Sequence, residues 1–139
     1  VAKSHKTIPN ILASKGFSVS MANEKNIQAI DYLGITSGNK VADKFSKSGL
    51  TAIQSEFVNA PLIQELPLAL ECKFISYDEE SELLLGEIVN VSADESALEE
   101  NGKLSMEKLA PVCYDPAGHG YYLLGKRVGN AFSDGKSLQ

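Results

Sequence analysis

Two alternating runs, Leu66–Tyr77 and Glu82–Ala93, constrain this chain more than any other feature. In the first, Leu68, Leu70, Cys72 and Phe74 fall on one side and Ala69, Glu71 and Lys73 on the other. That is the two-residue period of a half-buried strand. In the second, Leu83, Leu85, Glu87 and Val89 oppose Leu84, Gly86, Ile88 and Asn90. Both of its faces carry apolar groups, so the pattern predicts a strand covered on both sides. Asp78-Glu79-Glu80-Ser81 between them has no glycine, which predicts a longer exposed hairpin loop instead of a tight two-residue turn. Two long strands sealed by a polar loop predict the middle of a curved antiparallel sheet.

The remaining elements are shorter. Thr7 is placed to cap a helix carrying Ile8, Ile11 and Leu12, with Pro9 tolerated in the first turn and Gly16 as the stop. Phe17, Val19 and Met21 alternate with small residues as a strand does. Asn23 caps a second helix with Ile27, Ile30 and Leu33, closed by Gly34. The loop Ser37-Gly38-Asn39-Lys40 leads to a helical turn around Asp43-Lys44-Phe45 that ends at Gly49. Leu50 to Val58 reads as an extended strand, and Asn59-Ala60-Pro61 as a turn. Asp94 to Lys103 is a polar excursion with a turn at Asn101-Gly102. Ser105 to Leu109 forms another helical turn, Pro116 to Gly120 a flexible loop, and Tyr121 to Leu124 a final strand. The Gly- and Ser-rich tail after Gly125 is suited to lie over a neighbour. Strands outnumber helices, which predicts a mainly β fold: a small barrel with short helices on its rim.

At 139 residues, with 43% hydrophobic and 22% charged residues, the chain fits one domain with a core of its own. A net charge of −5 argues against nucleic acid or an anionic membrane as the main partner. Any anionic ligand must be held by local donors. Cys72 and Cys113 have no CxxC or zinc-like spacing, so a buried Cys72 thiol and a reducing cytoplasm are the favoured reading. No stretch has the length of a membrane span and no signal sequence is visible.

Ser4-His5-Lys6-Thr7 puts two hydroxyls, an imidazole and an ammonium at the mouth of a helix, a plausible seat for phosphate. The same residues also read as a plain helix start with a solvated lysine. Lys44, beyond Ser37-Gly38, could bring a cation to an anionic ligand, or could be a free lysine on a surface turn. Gly135-Lys136-Ser137 is not a P-loop, because Asn130 stands where that motif needs glycine and no helix follows. Asn90-Val91-Ser92 matches a glycosylation sequon but lies within strand pattern. Two histidines, His5 and His119, are too few for a metal site of recognisable spacing, and no serine elbow or Cys–His nucleophile is evident.

Taken in order, several segments resemble the flavin reductase-like family, which includes flavoredoxin. They are Ser4-His5-Lys6-Thr7; Gly34-Ile35-Thr36-Ser37-Gly38 leading to Asp43-Lys44-Phe45; Gly49-Leu50-Thr51; Leu68 to Cys72; Leu85 to Ile88; Pro111 to Pro116; and Gly125 through Lys136. The resemblance covers nearly the whole chain and implies an FMN-binding split β-barrel with short peripheral helices, one domain over 1–139. It implies FMN (FAD also possible) held at a homodimer interface, with NAD(P)H or a redox protein partner exchanging electrons through it. By position, Ser4 and Thr7 would meet the phosphate with His5 and Lys6 beside them, Lys44 would approach the flavin, and Tyr114 would lie near the ring or ribityl chain. Two departures accompany it. Relatives carry His-Thr where this chain has Ser81-Glu82, so a contact made by that histidine would be lost. The family's leading strands would precede Val1, so that a partner would have to cover the open barrel edge. The resemblance thus favours an NAD(P)H:flavin oxidoreductase or an electron carrier, and leaves open a non-catalytic or truncated structural member.

Overall fold

The structure of the protein is a computed structural model, described for residues 1–138. The two alternating runs form the longest strands, β4 (Leu68–Asp78) and β5 (Leu83–Ala93). They pair antiparallel, with register shifts after Glu71 and after Phe74. Strand β1 (Gly16–Ser20) joins the other side of β4, giving the order β1-β4-β5. Two further antiparallel pairs stand apart from this sheet: β2 (Ala52–Gln54) with β3 (Pro61–Ile63), and β6 (Val112–Asp115) with β7 (Gly120–Leu123). Only Ala52–Gln54 of the expected Leu50–Val58 strand pairs, and Pro61, read as a turn, begins β3 instead. Ser55 breaks the run, because its Oγ accepts the N–H groups of Phe57 and Val58 and bends the chain back.

Among the described residues four short α-helices punctuate the strands: α1 (Thr7–Ser14), α2 (Ile27–Ile35), α3 (Lys44–Ser48) and α4 (Met106–Leu109). Asn23 caps the 3-10 turn that leads into α2 and Gly49 closes α3, as their positions predict, while Ser105 stands outside the expected Ser105–Leu109 turn as the cap of α4. Three further boundaries differ. Lys6, not Thr7, precedes α1, and no side chain bonds to that helix start. Lys15 ends α1 with a left-handed φ of 57°, so Gly16 opens β1 and does not stop the helix. Gly34 lies inside α2, which runs on to Ile35.

The sheet's burial departs from the simple alternation. Ser18, Ser20, Ala69, Glu71, Asn90 and Ser92 share one face by register. That polar face is the covered one: the segment 50–66 lies over it, with Ser18 Oγ donating to the Pro61 carbonyl. Glu71 is 0% exposed. Its carboxylate accepts from Ser55 Oγ, from Asn90 Nδ2 at 2.7 Å and from Ser92 Oγ at 2.6 Å. Burial by itself would raise the Glu71 pKa, but these donors outweigh it and hold the carboxyl below its ordinary value. Leu68, Leu70 and Phe74, expected on the buried side, are only half-buried. Strand β5 lies at the sheet edge with Leu83, Leu85, Ile88 and Val91 exposed, so the expected cover on both faces is absent among the described residues.

The core gathers Ile8 and Ile11 of α1, Leu50, Val58 and Leu66 of the covering segment, and Ala69 and Cys72 of β4. Ala97 is buried in the following excursion and Leu109 at the end of α4. Cys72 is a buried free thiol and Cys113 an exposed one. No described helix is long and apolar enough to cross a membrane.

Candidate functional site

The start of α1 and the loop between α2 and α3 enclose a cavity of about 1060 Å³. That is at the upper end of the range of roughly 300–1000 Å³ typical of small-molecule sites. Ser4, His5, Lys6 and Thr7 line one wall and Lys44 another, so five of the six residues singled out from sequence meet here. Ser4 to Thr7 are all exposed, and the absence of a side-chain cap leaves the Thr7 hydroxyl uncommitted to the helix. Ser37 and Lys40 add a further hydroxyl and ammonium to the wall.

Two contacts join the walls. Asn39 Nδ2 donates to the Ser4 carbonyl at 2.8 Å, tying the loop to the segment before α1. Gly38 sits between the lysines: a Cβ added there would lie 3.3 Å from Lys6 Cβ and 3.6 Å from Lys44 Cε. Neither Asn39 nor the packing at Gly38 carries a sequence signal, since each matters only once the loop has folded back.

Lys44 is less free than its sequence suggests. Its Nζ donates to the carbonyls of Leu33 and Thr36, both at 2.9 Å, at the C-terminal end of α2. These are charge-assisted bonds to carbonyls that a helix end leaves unpaired. A cationic, hydroxyl-rich rim beside an uncapped helix start is suited to an anionic group such as phosphate.

Tyr114 does not line this cavity. It is 54% exposed on the β6–β7 hairpin, its hydroxyl 2.9 Å from His119 Nδ1 and its ring 5.6 Å from that of Tyr121. Tyr121 donates in turn to Asp31 Oδ1 of α2 at 2.7 Å. The hydrogen bond to Asp31 pushes the Tyr121 phenol pKa up, because the carboxylate stabilises the protonated form. His119 adopts a left-handed φ of 53°. Sequence reading passed over Asp31 and Tyr121, which stand ninety residues apart and meet only through the fold. Ser81, where the resemblance expects histidine, is an exposed turn residue whose amide and hydroxyl both bond to Asp78 Oδ1. No group of three or more metal-ligating side chains occurs among the described residues.

Comparison with known proteins agrees with this architecture. The chain superposes on the flavoredoxin of Desulfovibrio vulgaris (Miyazaki F) with a TM-score of 0.90 at 36% identity, covering 97% of this chain and 73% of that one. It superposes on the flavoredoxin from Methanosarcina acetivorans with a TM-score of 0.89 at 30% identity, covering 100% of this chain and 74% of that one. An uncharacterized protein of Aquifex aeolicus (strain VF5) is 32% identical over 108 residues, which is 76% of this chain. The chain spans 55% of the length of that relative. The fold is therefore mainly β and that of the split-barrel, flavin reductase-like proteins. Residues 1–119 match the flavin reductase like domain, and the chain belongs to that family.

Proposed function

We propose that the protein binds FMN and passes electrons through it, as a flavoredoxin-like carrier or a flavin reductase. The observation that carries this reading is the meeting of Ser4–Thr7 with Lys44, far apart in sequence, on one cavity of a size that admits a cofactor. With a net charge of −5 the protein's overall field repels anions, so the local cations and hydroxyls must do the holding. Ser4 and Thr7 offer hydroxyl donors to the phosphate, and His5 and Lys6 stand beside them. Ser37 and Lys40 extend the polar rim. FAD would need a further seat for its adenylate, so FMN is the better match to a single cluster of cations.

When bound, the flavin supplies the redox chemistry. The chain's own residues seat the phosphate, orient the ring and limit solvent. Electrons enter from NAD(P)H or from a redox protein. Two copies form the working unit in this reading, and Tyr114, apart from the cavity of its own chain, joins the flavin from the second copy. The exposed Leu83, Leu85, Ile88 and Val91 supply apolar surface for such pairing. Both cysteines are free, which suits a reducing cytoplasm.

The test is titration of the purified protein with FMN, followed by quenching of flavin fluorescence, with sedimentation to count chains per flavin. Saturable binding to a dimer is expected, and Lys6→Met weakens it most at low ionic strength. Anaerobic addition of NADH or NADPH then separates a reductase, whose yellow colour bleaches, from a carrier that waits for a protein donor. No saturable FMN binding would refute the proposal.

A further inference from the structure

The geometry points to Lys44 as a positioning residue: it clasps the loop that forms most of one cavity wall, and it spends its charge on helix α2 and not on the ligand. Helix α2 carries no basic residue in its last turn, and its C-cap, Thr36, is extended instead of left-handed. Its own sequence therefore provides none of the usual partners for the terminal carbonyls. Lys44, the first residue of α3, returns to supply them, with 2.9 Å bonds to Leu33 and Thr36.

The segment between these anchors, Gly34 through Ala42, lines the cavity throughout. Beyond the last turn of α2 its internal bonds are few: Asn39 N to Ser37 Oγ, and Lys40 N and Val41 N to the Ser37 carbonyl. Outside the segment it is held by Thr36 N to the Tyr32 carbonyl, by Lys44 N to the Val41 carbonyl, and by Asn39 to the Ser4 carbonyl at the exposed surface. The Lys44 bonds are partly buried and carry a full charge, so they are the stronger fastening. A lysine with two donors engaged keeps one N–H for other partners. Pinned by two bonds to the end of α2, it is better placed to hold Gly38 against Lys6 than to follow an incoming anion.

The two possibilities differ in what Lys44→Met changes. As a clasp, its loss speeds amide hydrogen exchange at Thr36, Lys40 and Val41 in the ligand-free protein by roughly tenfold or more, the scale of losing hydrogen bonds to a charged group. It also weakens FMN binding without flattening the dependence of affinity on salt. Lys44→Arg, which keeps the charge and both donors, restores protection and affinity together. Lys6→Met serves as the reference for a cation that does face the ligand, and does flatten the salt dependence. Unchanged exchange in Lys44→Met overturns the inference, as does loss of salt dependence equal to that of Lys6→Met. The inference uses the reading of the cavity as the flavin site, but the exchange arm needs no flavin. A failure of FMN to bind would thus refute the proposed function while leaving the clasp to be judged by exchange alone.

Discussion

Replacing Glu71 by glutamine tests the most heavily committed polar group in the fold. The carboxylate is fully buried and receives Ser55, Asn90 and Ser92. Glutamine fills the same space but has one acceptor oxygen in place of two. If its amide nitrogen faces Ser55, the serine hydroxyl loses its acceptor, since Ser55 Oγ already receives Phe57 N and Val58 N at 3.0 Å. If the nitrogen faces the other way, Asn90 and Ser92 lose theirs. The lesser loss leaves one buried donor unpaired and weakens the remaining bonds, at a cost of about 2–3 kcal/mol. Against a total stability of about 5–15 kcal/mol that is a large fraction. Urea unfolding at neutral pH measures it as a lower midpoint with an unchanged slope. The sign with pH follows from the lowered Glu71 pKa: its contribution is present above the unfolded carboxyl's value of about 4.3 and is lost as pH falls through the folded value. Glutamine does not titrate, so the gap between the two proteins is full near neutrality and closes in acid. A gap below about 0.5 kcal/mol, the usual range for inconsequential surface changes, would refute the reasoning. So would a gap that persists unchanged in acid.

Two further outcomes are expected. A Cβ at Gly86 would lie 3.1 Å from the Lys73 carbonyl and 2.7 Å from Phe17 Cε1. Gly86→Ala should therefore cost about 1–3 kcal/mol by overpacking, visible as a lower thermal midpoint; an unchanged midpoint would show that the Phe17 ring yields freely. Asp31→Asn removes the carboxylate that holds the Tyr121 phenol up, so one tyrosine of this chain should ionise at lower pH in a phenolate absorbance titration. An unaltered titration would mean that the Tyr121–Asp31 bond does not persist in solution.

Much of the strand plan is legible in the sequence, and the reasons for the rest are physical. The period of Leu68–Phe74 and Leu83–Asn90 places β4 and β5, because alternation survives whatever packs on the sheet. It does not tell which face is covered. Hydrophobicity favoured Leu68 and Leu70, but Ser55 donates to Glu71 from a segment sixteen residues earlier and turns the polar side inward. Cys72, on the opposite face from Glu71 and paired with Phe17 of β1, is buried as well. Strand β6 was hidden behind Pro111 and Pro116, and its pairing with β7 depends on a loop that no hydrophobic pattern encodes. The cavity was partly legible: hydroxyls and lysines near a helix start announce an anion seat. That Lys44 bonds to the end of α2 was not, since its partners are backbone carbonyls, identical in every sequence.

The unequal exposure of the two thiols offers a practical handle. Burial pushes the Cys72 thiol pKa up and keeps solvent from it, whereas Cys113 stands open on β6 beside Tyr114. A maleimide dye should therefore mark each folded chain once, on the aromatic hairpin, without mutagenesis. A second equivalent of dye would react only as the chain unfolds, so one reagent reports both the hairpin's surroundings and the integrity of the sheet.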